Sequence, residues 1–335
     1  MTLPNGVFGD PLLHVRLAHH KRSLLIDFGE GQRLPARLAH QVTDVLISHA
    51  HADHIAGFVS FIRSRIGKWP ICRVLGPPGI ADNVAGFVAG IHWDRVGPRA
   101  PRFEVAELRG DSAQRFLVVA GQRQPEPIGV TAADGGLLFA DAFMRIRAVE
   151  LDHLTPVLAF SLEPNATVRV RSDRLSELGL VPGNWLTELK ACMLAGDGEA
   201  LIELPSGAER RAAELGQELC LIEPAQTLVY ATDLANTLAN RERLVRFASG
   251  AHTLFLESTF LEADAAQAER TGHLATRACA EIAAAAGVDR LIPFHFSRRY
   301  EKDPGEIYAE IVRICPATFI PPELQGSVRV CDAND

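Results

Sequence analysis

Three histidines and an aspartate lie within one short stretch directly after an apolar run. The run is Val45-Leu46-Ile47, and the polar residues that follow it are His49, His51, Asp53 and His54. Neutral imidazole nitrogens and carboxylate oxygens bind a zinc-type dication at about 2.0 to 2.2 Å, whereas a core that only needs filling gains nothing from such polar groups. The sequence therefore predicts a metal site in this loop.

The spacing of these residues indicates more than one ion. His49 and His51, two positions apart, project from one side of an extended segment that leaves a strand. Asp53 and His54 follow where a helix can begin. Four ligands exceed what one open catalytic metal with three protein ligands needs, so two metal ions are the natural interpretation.

The pattern H-x-H-x-D-H resembles the metallo-β-lactamase superfamily of binuclear hydrolases. Three downstream residues, His153, Asp233 and His295, occur in the order of the remaining ligands of that superfamily. The resemblance is closest to its ribonuclease Z branch, the tRNA 3′-end endonucleases, and covers residues 24–311. The runs similar to that branch are Leu25-Ile26-Asp27-Phe28-Gly29-Glu30-Gly31, Leu75-Gly76-Pro77-Pro78-Gly79, Phe255-Leu256-Glu257-Ser258-Thr259-Phe260, Gly272-His273-Leu274-Ala275-Thr276 and His295-Phe296-Ser297-Arg298-Arg299-Tyr300.

The resemblance implies an α/β fold, the four-layered αβ/βα metallo-β-lactamase sandwich. Residues 1–335 would form a single domain, with residues 163–223 as an inserted arm-like segment. Two divalent ions would bind, zinc first, with manganese and iron as alternatives that the ligand types also suit. The implied ligand sets are His49, His51 and His153 for one ion, Asp53, His54 and His295 for the other, and Asp233 as the bridge.

The resemblance also implies a mechanism. Two dications about 3.5 to 4 Å apart lower the pKa of a bridging water and clamp both oxygens of an in-line phosphoryl displacement, so a bridging hydroxide would attack phosphorus. His273, paired with Glu257, would act as the general acid for the leaving oxygen. Asp53 would belong to the catalytic group as well as to the ligands. Asp27 would accept the free N–H of a ligand imidazole and fix its tautomer.

Three further residues are candidate substrate contacts by the same resemblance: Arg299, Tyr300 and Thr276. For Arg299 and Tyr300, a salt bridge or hydrogen bond that holds the ligand loop is an equal alternative.

Composition limits the class of protein. With 335 residues, 47% of them hydrophobic and 22% charged, the chain is globular. No apolar run approaches the roughly 18 residues that cross a bilayer. The group His19-His20-Lys21-Arg22 stands where a signal peptide would be uninterruptedly apolar. The six cysteines form no C-x-x-C pair, as suits a reducing compartment. We therefore expect a cytoplasmic protein without membrane contact.

The charge balance bears on the partner. A net charge of −7 argues against a protein that coats nucleic acid by its overall charge. Bound dications, with Arg298 and Arg299 beside a ligand histidine, can still attract phosphate locally. The expected partner is a phosphodiester, with precursor tRNA as the candidate, and we expect a homodimer.

Apolar runs and helix signals give a mixed α/β order, with several strands ending at a candidate ligand. Helices are predicted over 276–286, which is Ala-rich and stops at Gly287, and over 304–314, with Pro304 early and Pro316 just beyond. The strand-like runs are 24–26, 45–47, 139–149, 157–162, 227–230, 253–256 and 291–292.

The segment 163–223 carries no plausible ligand. In ribonuclease Z the corresponding insertion is a protruding arm that grips tRNA, and Leu178-Gly179-Leu180-Val181-Pro182-Gly183 is similar to its tip. The arm would use Arg169, Arg171, Arg174 and Lys190 on phosphates. The alternative is a β-rich insertion packed on its own domain.

The chain departs from the family pattern in three places. Asn184 replaces the proline that usually ends the tip motif, Leu274-Ala275-Thr276 replaces the usual residues after His273, and residues 5–11 lack the basic N-terminal loop. Two other functions therefore stay open: a hydrolase of the same fold acting on a small phosphodiester, an ester or a lactam, and a non-catalytic metal-binding protein.

Overall fold

The computed structural model describes residues 1–17, 22–67 and 69–325. His19, His20, Lys21 and Cys331 lie outside these ranges. Contacts divide the chain into two compact units. The main unit comprises Met1–Ala140, Arg145–Leu162 and the described residues from Thr227 onward, and the insert unit comprises Asp141–Met144 and Glu163–Gln226.

One sheet of the main unit has seven strands in chain order. Strands β2 to β5 run parallel, while β1 and the pair β6 and β7 add antiparallel edges. The middle strands are buried almost throughout, as in parallel sheets covered on both faces. The strands are β1 Leu13–Arg16, β2 Ser23–Ile26, β3 Val42–Leu46, β4 Cys72–Gly76, β5 Arg102–Arg109, β6 Ser112–Val119 and β7 Glu126–Ala132.

The second sheet has six strands in the order β17-β16-β15-β10-β9-β8. Strands β15, β16 and β17 run parallel, and β10 pairs antiparallel with β15. The strands are β8 Leu137–Ala140, β9 Met144–Asp152, β10 Pro156–Pro164, β15 Leu228–Ala231, β16 Thr253–Glu257 and β17 Leu291–Phe294. Each strand-like run of the sequence analysis thus overlaps a strand, and the run 139–149 overlaps two, β8 and β9, with a break at residues 141–143.

Each sheet has its own layer of helices. One apolar core joins the first sheet to α3 and α4, and the other joins the second sheet to α8, α10 and α11. Burial of each Val, Leu, Ile or Phe side chain in these cores stabilises the folded state by about 1.5 to 3 kcal/mol relative to exposure. The main-unit helices are α1 Ala36–Ala39, α2 Ala52–Ile55, α3 Phe58–Ser64, α4 Ile80–Ala89, α8 Leu238–Phe247, α9 Ala265–Thr271, α10 Thr276–Ala286 and α11 Gly305–Ile314.

The two predicted helices are confirmed. Helix α10 has the predicted limits, because alanine is the best helix former and Gly287 ends it in the left-handed conformation, at φ 61°. Helix α11 begins one residue after the predicted start, Pro304, which precedes its first turn. The two sheets with their helix layers give the predicted αβ/βα sandwich.

The insert unit contains more helix than strand, which does not fit the alternative of a β-rich insertion. Trp185, Leu189 and Leu215 extend from its helices into a separate apolar core that also contains Ile202. The elements are β11 Thr167–Val170, α5 Ser172–Glu177, α6 Trp185–Ala195, β12 Leu201–Glu203, β13 Glu209–Arg211, α7 Ala212–Leu219 and β14 Cys220–Glu223.

Composition predicted no membrane-spanning segment and no paired cysteines. No helix in the described ranges is long and apolar enough to span a bilayer. The cysteines in these ranges are all free thiols: Cys72, Cys192, Cys220, Cys279 and Cys315.

Candidate metal centre

Strand ends bring the predicted ligands together. His49 and His51 follow β3, with Asp53 and His54 in α2, while His153, Asp233 and His295 follow β9, β15 and β17. The ligand atoms form two groups, each with all atoms within 4.8 Å of one another. One group is His49, His51, His153 and Asp233, and the other is Asp53, His54, Asp233 and His295. Asp233 is common to both.

The carboxylate of Asp233 lies among the histidines. Its Oδ2 is 3.3 Å from Nε2 of His54, 3.6 Å from Nε2 of His153 and 3.8 Å from Nε2 of His49. Its Oδ1 is 3.2 Å from Nδ1 of His295. Asp233 therefore lies between nitrogens of both ligand groups, His49 and His153 on one side and His54 and His295 on the other, as a residue shared by two ions would.

Several residues of the centre adopt a strained backbone. Asp27, Leu154, Asp233 and His295 have φ of 55°, 60°, 50° and 58°. The left-handed region costs non-glycine residues about 1 to 3 kcal/mol each, although Asp and His tolerate it better than most residues. These residues follow β2, β9, β15 and β17. The sharp turns at these strand ends direct the side chains into the centre.

Asp27 is fully buried and accepts four hydrogen bonds. Its Oδ2 accepts from Nδ1 of His54 at 2.9 Å, from Oγ of Ser48 at 2.8 Å and from the hydroxyl of Tyr230 at 2.8 Å, and its Oδ1 accepts from the Ser48 amide at 2.7 Å. Because Nδ1 of His54 donates to Asp27, its Nε2 carries the lone pair. That buried Nε2 has no hydrogen-bond partner, as expected of a metal ligand.

Two glycines let the loop after β2 lie directly on α2. A Cβ on Gly29 would come within 2.0 Å of the Asp53 carbonyl oxygen, and one on Gly57 within 2.1 Å of the Gly29 oxygen. The Phe28 amide also donates to the His54 carbonyl at 2.7 Å. Only glycine permits this approach, which places Asp27 against its partner His54.

The electrostatics of the centre suit a cation. Burial and the charge of His54 lower the pKa of His49 to about 3, so its imidazole is neutral, the form that binds metal. Burial opposes the charge of Asp233, but His295 and His54 hold its pKa well below the usual range. Burial also opposes a charged His54, yet Asp233 and Asp27 raise its pKa well above the usual value, so the carboxylates favour a positive charge at this position, which a metal ion would supply in place of the proton. Neutral imidazole and ionised carboxylates together fit a divalent metal.

The half-buried His273 pairs with the fully buried Glu257 beside the two ligand groups. Nδ1 of His273 lies 3.0 Å from Oε2 of Glu257, and its ring centre lies 4.8 Å from that of His153. Burial disfavours the imidazolium, but the charge and hydrogen bond of Glu257 outweigh burial and raise the pKa of His273 to about 9. His273 is therefore a protonated donor near neutral pH.

Glu257 also supports the loop of Asp233. Its Oε1 accepts from the Leu234 amide at 2.7 Å, and its Oε2 accepts from the Thr259 hydroxyl at 2.6 Å. One buried carboxylate thus fixes both the acid and the residue next to the shared ligand.

Sequence reasoning missed several residues that hold the ligands. The Gly272 carbonyl accepts from Nδ1 of His153 at 2.7 Å, and Ser48 and Tyr230 donate to Asp27. Ser48, beside the histidine motif, gives only a weak signal of such a role. Tyr230 gives no signal of it, because a buried aromatic residue is expected inside the apolar strand β15 in any case.

The three candidate substrate contacts have other partners. Nη1 of Arg299 lies 3.3 Å from Oδ2 of Asp264, and the Tyr300 hydroxyl donates to the same carboxylate. These contacts match the alternative in which the two residues hold the loop. Thr276 does not fit a substrate contact, because it is fully buried and its hydroxyl donates to Glu310.

The N-terminal loop connects two ligand loops although it lacks basic residues. Nδ2 of Asn5 donates to the Glu30 carbonyl at 2.9 Å, near the loop of Asp27. The Phe296 amide donates to the Val7 carbonyl at 2.9 Å, and the rings of Phe8 and Phe296 are 5.3 Å apart. Residues 5–8 thus tie the loop after β2 to the loop of His295.

Replacing Tyr230 by phenylalanine is expected to weaken metal binding at the group that contains His54. The change removes one of three donors to Oδ2 of Asp27 and loosens the carboxylate that orients His54. Loss of such an outer partner costs about 10- to 100-fold in metal affinity. Titration of the metal-free protein with zinc in competition with a chelator measures it. Tyr308→Phe, which removes a hydroxyl elsewhere in the main unit, is the control, and equal affinities in both variants would contradict the prediction.

The fold and the paired ligand groups define a metallo-β-lactamase-fold protein. Residues 15–139 match the family model described as Metallo-beta-lactamase superfamily. The fold is similar to two solved structures that share too little sequence to show more than the fold. They are human tRNase Z, short form, at TM-score 0.51 and 17% identity over 90% of each chain, and the metallo-beta-lactamase fold protein YhfI from Bacillus subtilis, at TM-score 0.53 and 14% identity over 94% of this chain and 92% of that one.

A curated relative narrows the family. The chain is 34% identical over 302 residues to Ribonuclease Z of Deinococcus radiodurans, an alignment that covers 88% of each protein. The chain therefore belongs to the ribonuclease Z family and is a metal-dependent hydrolase.

Proposed function

We propose that the protein is an endonuclease that cuts precursor tRNA at its 3′ end with two bound divalent ions. The observation that carries the proposal is the single buried carboxylate of Asp233, shared by two ligand groups, with the protonated His273 beside them. Two closely spaced ions are typical of phosphodiester cleavage, because an in-line displacement has both an attacking and a leaving oxygen to stabilise. The name of the Deinococcus relative supports the substrate.

We assign His49, His51 and His153 to one ion, Asp53, His54 and His295 to the other, and Asp233 to both. The fit rests on the buried Nε2 of His54, which makes no hydrogen bond, on the neutral imidazole of His49 and on the ionised carboxylate of Asp233. When bound, the ions would supply Lewis-acid stabilisation of phosphate oxygens and a water of lowered pKa. Zinc suits the histidine-rich set, with manganese and iron as alternatives.

The protein's own groups supply the proton. Nδ1 of His273 faces Glu257, so Nε2 is the nitrogen left to donate to the leaving oxygen. Glu257 keeps that imidazole charged until the proton leaves, and Asp27 keeps His54 in the tautomer that presents Nε2 to the ligand group. Positioning and proton delivery are therefore built into residues that are themselves buried or half-buried.

A direct comparison of substrates tests the proposal. The intact protein should cut precursor tRNA at its 3′ end much faster than it turns over a chromogenic phosphodiester or a lactam. Robust turnover of the small phosphodiester without any cut in precursor tRNA would favour the alternative of a small-substrate phosphodiesterase. The net charge of −7 and the N-terminal loop without basic residues are the observations that favour that alternative.

In the insert unit, the four basic residues proposed to contact RNA differ in whether their charged groups already have partners in the protein. Arg171 donates to the Glu218 carbonyl at 2.5 Å and Arg174 pairs with Glu177, whereas Arg169 is mostly exposed and lies 3.8 Å from Glu223. Lys190 is exposed and has no ion pair with any described residue. Arg169 and Lys190 are therefore the cations best placed to bind phosphate.

The double variant Arg169→Gln/Lys190→Gln is expected to bind precursor tRNA more weakly and with a flatter salt dependence. Each lost phosphate contact should reduce the slope of log affinity against log salt by about 0.7 to 0.9. Turnover of a small phosphodiester should not change, since neither residue belongs to the metal centre. Arg95→Gln, an exposed arginine of the main unit, is the control. An unchanged slope in the double variant would argue against the arm.

We also propose that the protein acts as a homodimer in the cytoplasm. The free thiols of the five described cysteines suit a reducing compartment. Light scattering on the purified protein measures the number of subunits.

A further inference from the structure

Asn240 links two loops that carry ligands. It is the third residue of α8, is 2% exposed, and makes three side-chain hydrogen bonds. Its Nδ2 donates to the carbonyls of Asp152 at 2.7 Å and Ala235 at 2.8 Å, and its Oδ1 accepts from the Asp152 amide at 3.0 Å. Asp152 directly precedes His153, and Ala235 stands two residues after Asp233.

The two linked loops need such a restraint. Leu154, after His153, and Asp233 itself adopt left-handed backbone at φ of 60° and 50°. Residues held in this region persist only where the surroundings over-determine them. One backbone bond joins the loops directly, from the Ala235 amide to the Asp152 carbonyl at 2.8 Å. Asn240 adds three bonds from a helix, which Leu244 anchors in the apolar core.

Only a carboxamide can satisfy both loops. It offers two N–H donors and one acceptor, and here both donors and the acceptor are used. Aspartate has a similar shape but would place a carboxylate against two carbonyl oxygens, and leucine could neither donate nor accept. The residue type therefore matches the task of pairing with backbone on two sides.

We propose that Asn240 is a positioning residue that sets His153 relative to Asp233. It thereby determines the metal affinity of the group His49, His51, His153 and Asp233. This inference rests on the proposed metal-dependent function. It assigns Asn240 no contact with substrate.

The test compares Asn240→Asp and Asn240→Leu with a control in the same helix. Thr237→Ala removes the hydroxyl that accepts from the Asn240 amide at 3.2 Å, so it weakens the start of α8 and removes no hydrogen bond to either ligand loop. Metal-free proteins are titrated with zinc against a chelator. In a parallel titration with cadmium-113, NMR resolves the two positions.

The Asn240 variants should bind the ion of the His153 group about 10- to 100-fold more weakly, the usual effect of losing an outer-shell partner. The ion held by Asp53, His54 and His295 should be affected less. Thr237→Ala should lower the melting temperature and leave both affinities unchanged. The proposal is overturned if Asn240→Asp binds both ions like the wild type, or if affinity in all three variants simply follows the loss in melting temperature.

A second readout separates this proposal from the proposed function. Nδ1 of His153 donates to the Gly272 carbonyl at 2.7 Å, so its proton should give a slowly exchanging NMR signal in metal-free protein. That signal should broaden or vanish in both Asn240 variants and persist in Thr237→Ala. A wild type that binds no ion would end the metal proposal, while this signal would still decide the role of Asn240. A sharp signal in Asn240→Leu would overturn it.

Discussion

Asp233→Ala is expected to abolish phosphodiester hydrolysis and to lower the metal content from two ions per chain to one or none. Asp233 is the only described residue that belongs to both candidate ligand groups, and its oxygens lie 3.2 to 3.8 Å from four histidines. Removal of a single oxyanion donor lowers turnover by about 10²- to 10³-fold. The loss of turnover in Asp233→Ala should be larger, since both ions would lose a ligand at once. Elemental analysis and turnover of a chromogenic phosphodiester measure the two effects.

Asp94→Ala is the matched control, because Asp94 is an exposed aspartate of the same unit whose one ion pair among the described residues is with its neighbour Arg95. It should keep both the metal content and the activity. A wild type that holds one ion or none, together with an active Asp233→Ala variant, would contradict the two-ion proposal.

His273→Ala is expected to reduce turnover of an alkyl phosphodiester by about 10²- to 10⁴-fold, the usual effect of losing a positioned general acid. The metal content should not change, since neither proposed ligand set includes His273. Its charge depends on Glu257, 3.0 Å away, which raises its pKa to about 9. The acid form is therefore the main form near neutral pH and is lost as the pH rises through that value.

The leaving group provides the decisive comparison. A nitrophenyl leaving group needs no proton, so the variant should be far less impaired on an activated ester than on an alkyl ester. His92→Ala, which changes an exposed histidine outside the centre, should show no defect on either. Equal losses on both esters would mean that His273 is not the acid.

Glu257 illustrates why the acid and the ligands are difficult to separate by mutation. It binds His273 on one oxygen and the Leu234 amide on the other, and it is fully buried. Removing its charge would therefore disturb the loop of Asp233 as well as the proton donor. His273 is the better residue for an experiment on the acid alone.

Much of the fold could be predicted from local sequence. Buried strands and the Ala-rich helix α10 depend on apolar runs and on strong propensities, which a short window reveals. Helix α6 escaped prediction because its apolar residues lie on several sides, with Trp185 and Leu189 buried while Leu194 is exposed. Its helix is stabilised by the core of the insert unit, and that core is not visible in a window of sequence.

In the candidate centre, too, some residues can be predicted from the sequence and others cannot. Histidine and aspartate at metal-ligand spacing predict a metal site directly, because burying such polar groups in an apolar core would cost free energy without a ligand. Thr276 shows the limit of this approach. A hydroxyl after a histidine motif suggests a substrate contact, but Thr276 is fully buried.

By itself, the sequence determined the cluster His49, His51, Asp53 and His54 through residue type and spacing. Its resemblance to ribonuclease Z then supplied the other candidate ligands and the acid pair of His273 and Glu257. The tertiary structure alone decided what holds these groups in place. Tyr230 reaches Asp27 across 203 residues of chain, and Asn240 reaches Asp152 across 88. Such partners are ordinary buried residues in sequence. They acquire their role only when folding brings a donor from one element to an acceptor in another and excludes the water that would otherwise satisfy both.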